Sequence, residues 1–250
     1  MAMVLPLSDD NSGRSSIPIV TWSIILLNVV VFFVLQGSGT NTEFTYAYST
    51  VPAEIVSGRD LVTENRIVRE TNQHGQVDQY EAPGLQPTPI PVYLTLVTSM
   101  FMHGGLMHLV GNMWFLWIFG DNIEHDMGPF RYLVFYLLCG IVASLAHVLL
   151  NTSGPNAEIP CLGASGAISA VMGAYLILHP KRRVTVLLLR VVTQVPGYVA
   201  VGLWFLFQVV SGLATFGGTA AGVAYGAHIG GFVIGALFAI PFMAGRPKSG

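Results

Sequence analysis

Four polar side chains in a largely apolar chain have the types that acyl transfer needs: Ser165, His228, His108 and Asn112. Ser165 lies in Cys161-Leu-Gly-Ala-Ser-Gly-Ala-Ile-Ser-Ala170, a stretch with no charge and little bulk. A helix starting there presents Ser165 in its first turn. Unpaired backbone N–H groups and the positive end of the helix dipole favour developing negative charge at that point. The same small residues, Gly163, Gly166, Ala167 and Ala170, are also what membrane helices use to pack closely. Taken alone, the stretch favours packing over catalysis. In the catalytic reading Ser165 is the nucleophile, and His228 is the general base and then the acid to the leaving amine. Asn112 follows His108 by one helical turn on the same face. With the Ser165 N–H, the two would form an oxyanion hole. No carboxylate is placed to orient His228, so the unit is a dyad rather than a triad. Ala167 stands where the G-x-S-x-G elbow has its last glycine, and there is no H-E-x-x-H zinc motif. No metal and no cofactor is expected.

The elements that must position these groups are membrane spans. Of 250 residues, 52% are hydrophobic and only 10% are charged, against roughly 25% charged in soluble domains. The composition predicts a polytopic, all-α membrane protein. A net charge of −2 gives no reason to expect nucleic acid. The two cysteines, Cys139 and Cys161, are expected to be free thiols. Residues 1–16 read as a short, mobile tail, residues 17–245 as a membrane domain of six spans with a long outer loop at 37–97, and residues 246–250 as a second tail. The spans fall at about Ile17–Leu35, Thr98–Phe119, Phe130–Leu150, Ala164–Leu178, Gly197–Phe216 and Ala221–Met243. Val184–Val195, interrupted by Arg190, is expected at the interface. Asn65–Glu81 could form a polar hairpin turning at Gln73–Gln76, and no chemistry is visible in the long loop.

Basic residues set the orientation. With the N-terminus cytoplasmic, eight (Arg14, Arg131, Lys181, Arg182, Arg183, Arg190, Arg246 and Lys248) lie inside and three (Arg59, Arg66 and Arg69) outside. Both termini are then cytoplasmic. The fourth span, about 22 Å long at 1.5 Å per residue, is too short for a core of about 30 Å and is expected to start below the outer surface. No Asp or Glu is expected inside a span. Ser165, His228, His108 and Asn112 then share the outer half of the membrane, around a wet or protein-lined cavity. Ala227, Gly231 and Gly235 recur every four residues beside His228. That small face would let the sixth span approach the fourth.

In the order His103-Gly-Gly-Leu-Met-His108-Leu-Val-Gly-Asn112, Gly163-Ala-Ser165-Gly166, and Ala227-His228 with Gly231 and Gly235, the chain resembles a bacterial rhomboid protease from about Ile17 to Ala244. The resemblance implies a six-helix rhomboid-like bundle in the bacterial inner membrane. It also implies a serine protease that cuts transmembrane segments of other proteins, which with the lipid bilayer would be its partners. Ser165 and His228 would be the dyad, and His108 and Asn112 the oxyanion stabilisers. His103, Gly163, Gly166, Gly231 and Gly235 would support them. Glu124 resembles a structural glutamate on the cytoplasmic side. Two features depart from the pattern: the first outer loop has no Trp-Arg pair, and Ser169 stands where some relatives place a tyrosine against the histidine. The competing readings are an inactive rhomboid-like protein that holds membrane clients, a haem protein or transporter using intramembrane histidines, and a channel or carrier. The two halves show no obvious repeat, which disfavours inverted-repeat carriers.

Overall fold

The computed structural model describes residues 4–71, 77–188, 190–215 and 224–244. The chain opens with strand β1 (Val4–Asp9) and helix α1 (Ile19–Val30), which continues as one wider π-type turn over Val31–Leu35. Two short helices follow, α2 (Thr42–Ala47) and α3 (Pro52–Ser57). Pro52 starts α3 where no N–H is needed, and Gly58, with φ +65°, ends it in the left-handed region. Strands β2 (Arg66–Thr71) and β3 (Val77–Ala82) pair antiparallel. This is the hairpin expected from the sequence, although its turn lies outside the described residues. After α4 (Thr95–Thr98) come α5 (Leu106–Met127), α6 (Pro129–Leu150) and α7 (Ser165–Leu178). Strands β4 (Arg183–Leu188) and β5 (Val191–Pro196) lead into α8 (Gly197–Thr215) and α9 (Tyr225–Met243).

The molecule is mostly helical. Among the described residues, α6 and α9 are long and apolar enough to cross a membrane. A third candidate is the pair Val92–Phe101 and α5, bent by 80° at the break between them. The segments Ile19–Leu35, α7 and Gly197–Leu213 are shorter apolar helices. Helix α7 lies at the centre, with Gly166 to Tyr175 buried without interruption. It is packed by α9, α6, α5 and α8. The α7–α9 contact is backbone on backbone. A Cβ on Gly231 would stand 2.1 Å from the Gly166 carbonyl oxygen, one on Gly235 2.1 Å from that of Ala170, and one on Gly173 2.1 Å from that of Phe232.

Several expectations need correction. The fold is not purely helical: β1, β4 and β5 form an antiparallel sheet in the order β1-β4-β5. The segment read as a mobile tail therefore supplies a strand, with Val4 opposite Leu188 and Asp9 opposite Val184. Val184–Val195, expected at the interface, is folded as a hairpin of β4 and β5. Its many valines and leucines satisfied the apolar pattern, and Arg190, φ +76°, stands where the strands fold back. The second span is displaced. Its helix begins at Leu106, after the Gly104-Gly105 break, and runs on to Met127. Asp121, Glu124 and Asp126 therefore lie in its last turns, all buried, beyond the Phe119 boundary expected for the span.

Each of these carboxylates has a partner. Glu124 accepts hydrogen bonds from the Val20 and Thr21 N–H groups at 2.9 and 2.7 Å and from the Thr21 hydroxyl at 2.8 Å. It thereby caps the first turn of α1, where donors are otherwise unpaired. Asp121 pairs with Arg14 at 3.1 Å and Asp126 with His179 at 2.6 Å. Asp9 accepts from Tyr175 Oη at 3.1 Å and from Asn122 Nδ2, and Arg182 donates to Asn122 Oδ1. This network ties the sheet to the ends of α5 and α7.

Candidate active site

Ser165 is the first residue of α7 and follows a closely held loop. Thr50 and Cys161 exchange backbone hydrogen bonds of 3.1 and 2.8 Å, and the Gly163 N–H donates to the Ser99 carbonyl at 2.9 Å. The Thr50 hydroxyl is hydrogen-bonded to that of Ser99 at 2.9 Å. Part of the long loop at 37–97 thus holds the approach to Ser165, a role that its sequence did not reveal. Gly163 has φ +126°, a conformation open to glycine alone without strain. A Cβ there would come within 2.8 Å of His108 Cε1.

His228 lies in the first turn of α9, and its Nε2 is 2.7 Å from Ser165 Oγ. On the far side of the ring, His228 Nδ1 is 2.8 Å from Gln208 Oε1 on α8. The rings of Trp204 and Tyr225 flank it, with centroids 6.3 and 6.2 Å away. Ser169 does not reach the imidazole; its hydroxyl donates to the Ser165 carbonyl at 2.6 Å. Asn112 is buried on α5, with Nδ2 2.9 Å from His103 Nε2. His103 is held in turn by Gln36, whose side chain accepts from the His103 N–H at 2.9 Å and donates to its carbonyl at 3.0 Å. His103 and His108 meet edge to face at 5.1 Å. His108, unlike the other three, is an exposed side chain.

These residues face one cavity of about 1260 Å³, whose wall includes Ser165, His228, His108, Asn112, Gln208 and Trp204. Gly166, Gly231 and Gly235 lie behind it, in the α7–α9 seam. The arrangement offers a hydroxyl bonded to an imidazole at a helix N-terminus. It also offers an amide, a second imidazole and first-turn N–H groups from which a tetrahedral oxyanion could draw hydrogen bonds. Gln208 and Gln36 were not singled out in the sequence. Each is an amide in or beside an apolar run with no histidine one turn away to mark its face.

A family model described as the rhomboid domain matches residues 91–245. The chain belongs to the rhomboid family. It is 28% identical over 235 residues to the rhomboid protease GluP of Bacillus subtilis, covering 93% of this chain and 36% of that protein. It is 32% identical over 162 residues to the mitochondrial rhomboid protein 1 of Saccharomyces cerevisiae, covering 62% of this chain and 43% of the relative. It is also 34% identical over 100 residues to the mitochondrial RHOMBOID-like protein 12 of Arabidopsis thaliana, covering 35% and 30%. The chain thus spans well under half the length of these relatives.

Proposed function

We propose that this membrane protein is an intramembrane serine endopeptidase, with Ser165 as nucleophile and His228 as base. The reading rests on one observation above the rest: the 2.7 Å contact between Ser165 Oγ and His228 Nε2 at the head of α7, on an open cavity. His228 Nε2 takes the hydroxyl proton as Ser165 Oγ attacks the scissile carbonyl. The tetrahedral oxyanion draws hydrogen bonds from Asn112, His108 and the Ser165 N–H. Collapse breaks the C–N bond, and the imidazolium gives its proton to the leaving amine. Water, activated by His228, then attacks the acyl-enzyme, and Ser165 leaves with its proton restored.

The six-span reading takes residues 17–245 as one membrane domain between tails 1–16 and 246–250, the latter outside the described residues. It counts α1, α5, α6, α7, α8 and α9 as spans, with α7 submerged. Both termini are assigned to the cytoplasmic side of a bacterial inner membrane, on the distribution of basic residues. Substrates are then transmembrane segments of other proteins, cut in or just beyond the outer half of the bilayer. A helix hides its scissile carbonyl, and opening backbone bonds in lipid is costly because nothing there replaces them. Segments with glycine or proline open at lower cost, by about 1 and about 3 kcal/mol relative to alanine. The outer ends of the second and fifth spans are candidates for the moving side that admits substrate. The Gly217-Gly218 turn, a third candidate, lies outside the described residues.

The test uses proteoliposomes holding the protein and a single-span substrate of known orientation, with products mapped by mass spectrometry. Wild type is expected to cut near the outer boundary, and faster when a glycine is placed there, while Ser165→Ala leaves the substrate intact. Equal turnover by Ser165→Ala would end the protease reading. Cuts mapped to the cytoplasmic half would overturn the orientation.

A further inference from the structure

The face of His228 away from Ser165 is occupied by an amide from a different helix. Gln208 on α8 is 7% exposed, and its Oε1 lies 2.8 Å from His228 Nδ1. We infer that Gln208 is the positioning residue for His228, accepting the Nδ1–H so that the Nε2 lone pair faces Ser165 Oγ. This rests on the proposed dyad and adds the group that orients it.

Neutral imidazole carries one proton, and its two nitrogens have opposite roles. A base toward Ser165 needs Nε2 free and Nδ1 protonated, and a buried N–H without an acceptor is costly. At the described contacts of the ring, the oxygen that meets Nδ1 is that of Gln208. The tyrosine position that could have braced the ring from α7 is Ser169, and its hydroxyl is committed to the Ser165 carbonyl. Trp204 and Tyr225 lie beside the ring at more than 6 Å between centroids and provide walls, not an acceptor. Gln208 therefore does for this imidazole what a buried carboxylate does in a triad, as a neutral acceptor suited to an apolar span. The amide also makes base orientation depend on α8, which Phe205 holds against α9 by stacking on Phe232 with centroids 4.1 Å apart.

Gln208→Met keeps the length and removes the acceptor, whereas Gln208→Glu keeps an acceptor. The first readout is nitrogen NMR of histidine-labelled protein, which distinguishes the tautomers without reference to activity. Wild type and Gln208→Glu are expected to show His228 protonated at Nδ1, and Gln208→Met a mixture or the Nε2–H form. The second readout is turnover. Gln208→Met is expected to lower kcat by at least about tenfold, the scale of one neutral hydrogen bond, and by no more than the factor on the order of 10⁴ that a wrong tautomer costs a triad. KM should be little changed, and Gln208→Glu should recover most of the loss. An Nε2–H wild type, an unchanged tautomer in Gln208→Met, or equal losses in both variants would each overturn the assignment. Were the tautomer to follow Gln208 while wild type and Ser165→Ala were equally inert, the proteolytic reading would fall and the role of Gln208 in orienting His228 would stand.

Discussion

Gly163 shows how closely the residues around Ser165 are fitted. Its φ of +126° and the 2.8 Å approach to His108 both exclude a side chain. Gly163→Ala is therefore expected to lower stability by about 1–3 kcal/mol and to displace His108, reducing kcat. Gly202→Ala, where an added Cβ meets nothing within 4 Å, should leave the melting temperature unchanged or slightly raised. Thermal unfolding of the two purified variants decides the point; equal behaviour would mean that the Gly163 loop is free to move. Asn112 belongs to the same scale. Loss of one oxyanion donor typically costs on the order of 10²–10³ in rate. Asn112→Ala should thus lower kcat far more than it alters KM, and a change confined to KM would place Asn112 in ground-state binding instead. Ser165, His228, His108 and Asn112 were legible in the sequence because polar groups in apolar spans are costly. Gln208 was missed because no histidine stands one turn away to mark its face, as His108 marks that of Asn112. The 2.9 Å contact of His103 with Asn112 was missed because it depends on the bend at Gly104-Gly105.

At the scale of elements, the α7–α9 seam sets the distance between Ser165 and His228. The repeat of Ala227, Gly231 and Gly235 predicted that approach, and a side chain at Gly231 would meet the Gly166 carbonyl at 2.1 Å. Gly231→Val should separate the helices, at a cost of at least about 1–3 kcal/mol, and remove activity. Thermal unfolding together with cleavage of a single-span substrate reads both effects, and a variant as stable and active as wild type would contradict the seam. The start of α5 and the β4–β5 hairpin were not legible. Hydropathy reports how apolar a run is but not where it changes direction, and Val184 to Val195 satisfies the pattern of a strand pair and of an interfacial segment alike. Strand β1 was hidden for another reason: its partner β4 lies far along the chain, and residues 4–9 carry no span-like run.

One end of the molecule is closed by the network joining β1, α5, α7 and Arg182, just before β4, and this gives it a pH dependence. Asp9 is held well above its ordinary value of 3.8, at about 7, first by burial and then by the nearby Asp121 carboxylate. A folded pKa above the unfolded one means that the native state binds the proton more tightly. The stability from this group is then complete below about pH 4 and is lost as pH rises towards 7. Asp9→Asn should remove that loss, so its melting temperature should gain on wild type between pH 5 and pH 8. Parallel curves for the two proteins would show that Asp9 does not titrate in this range. At the other end Ser165 meets His228. The most direct measurement is the rate of labelling by a serine-directed fluorophosphonate, followed by peptide mapping of the adduct. One adduct is expected, on Ser165, absent in Ser165→Ala and lost in His228→Ala, with both variants still folded. Labelling of another serine, or of His228→Ala at the wild-type rate, would contradict it.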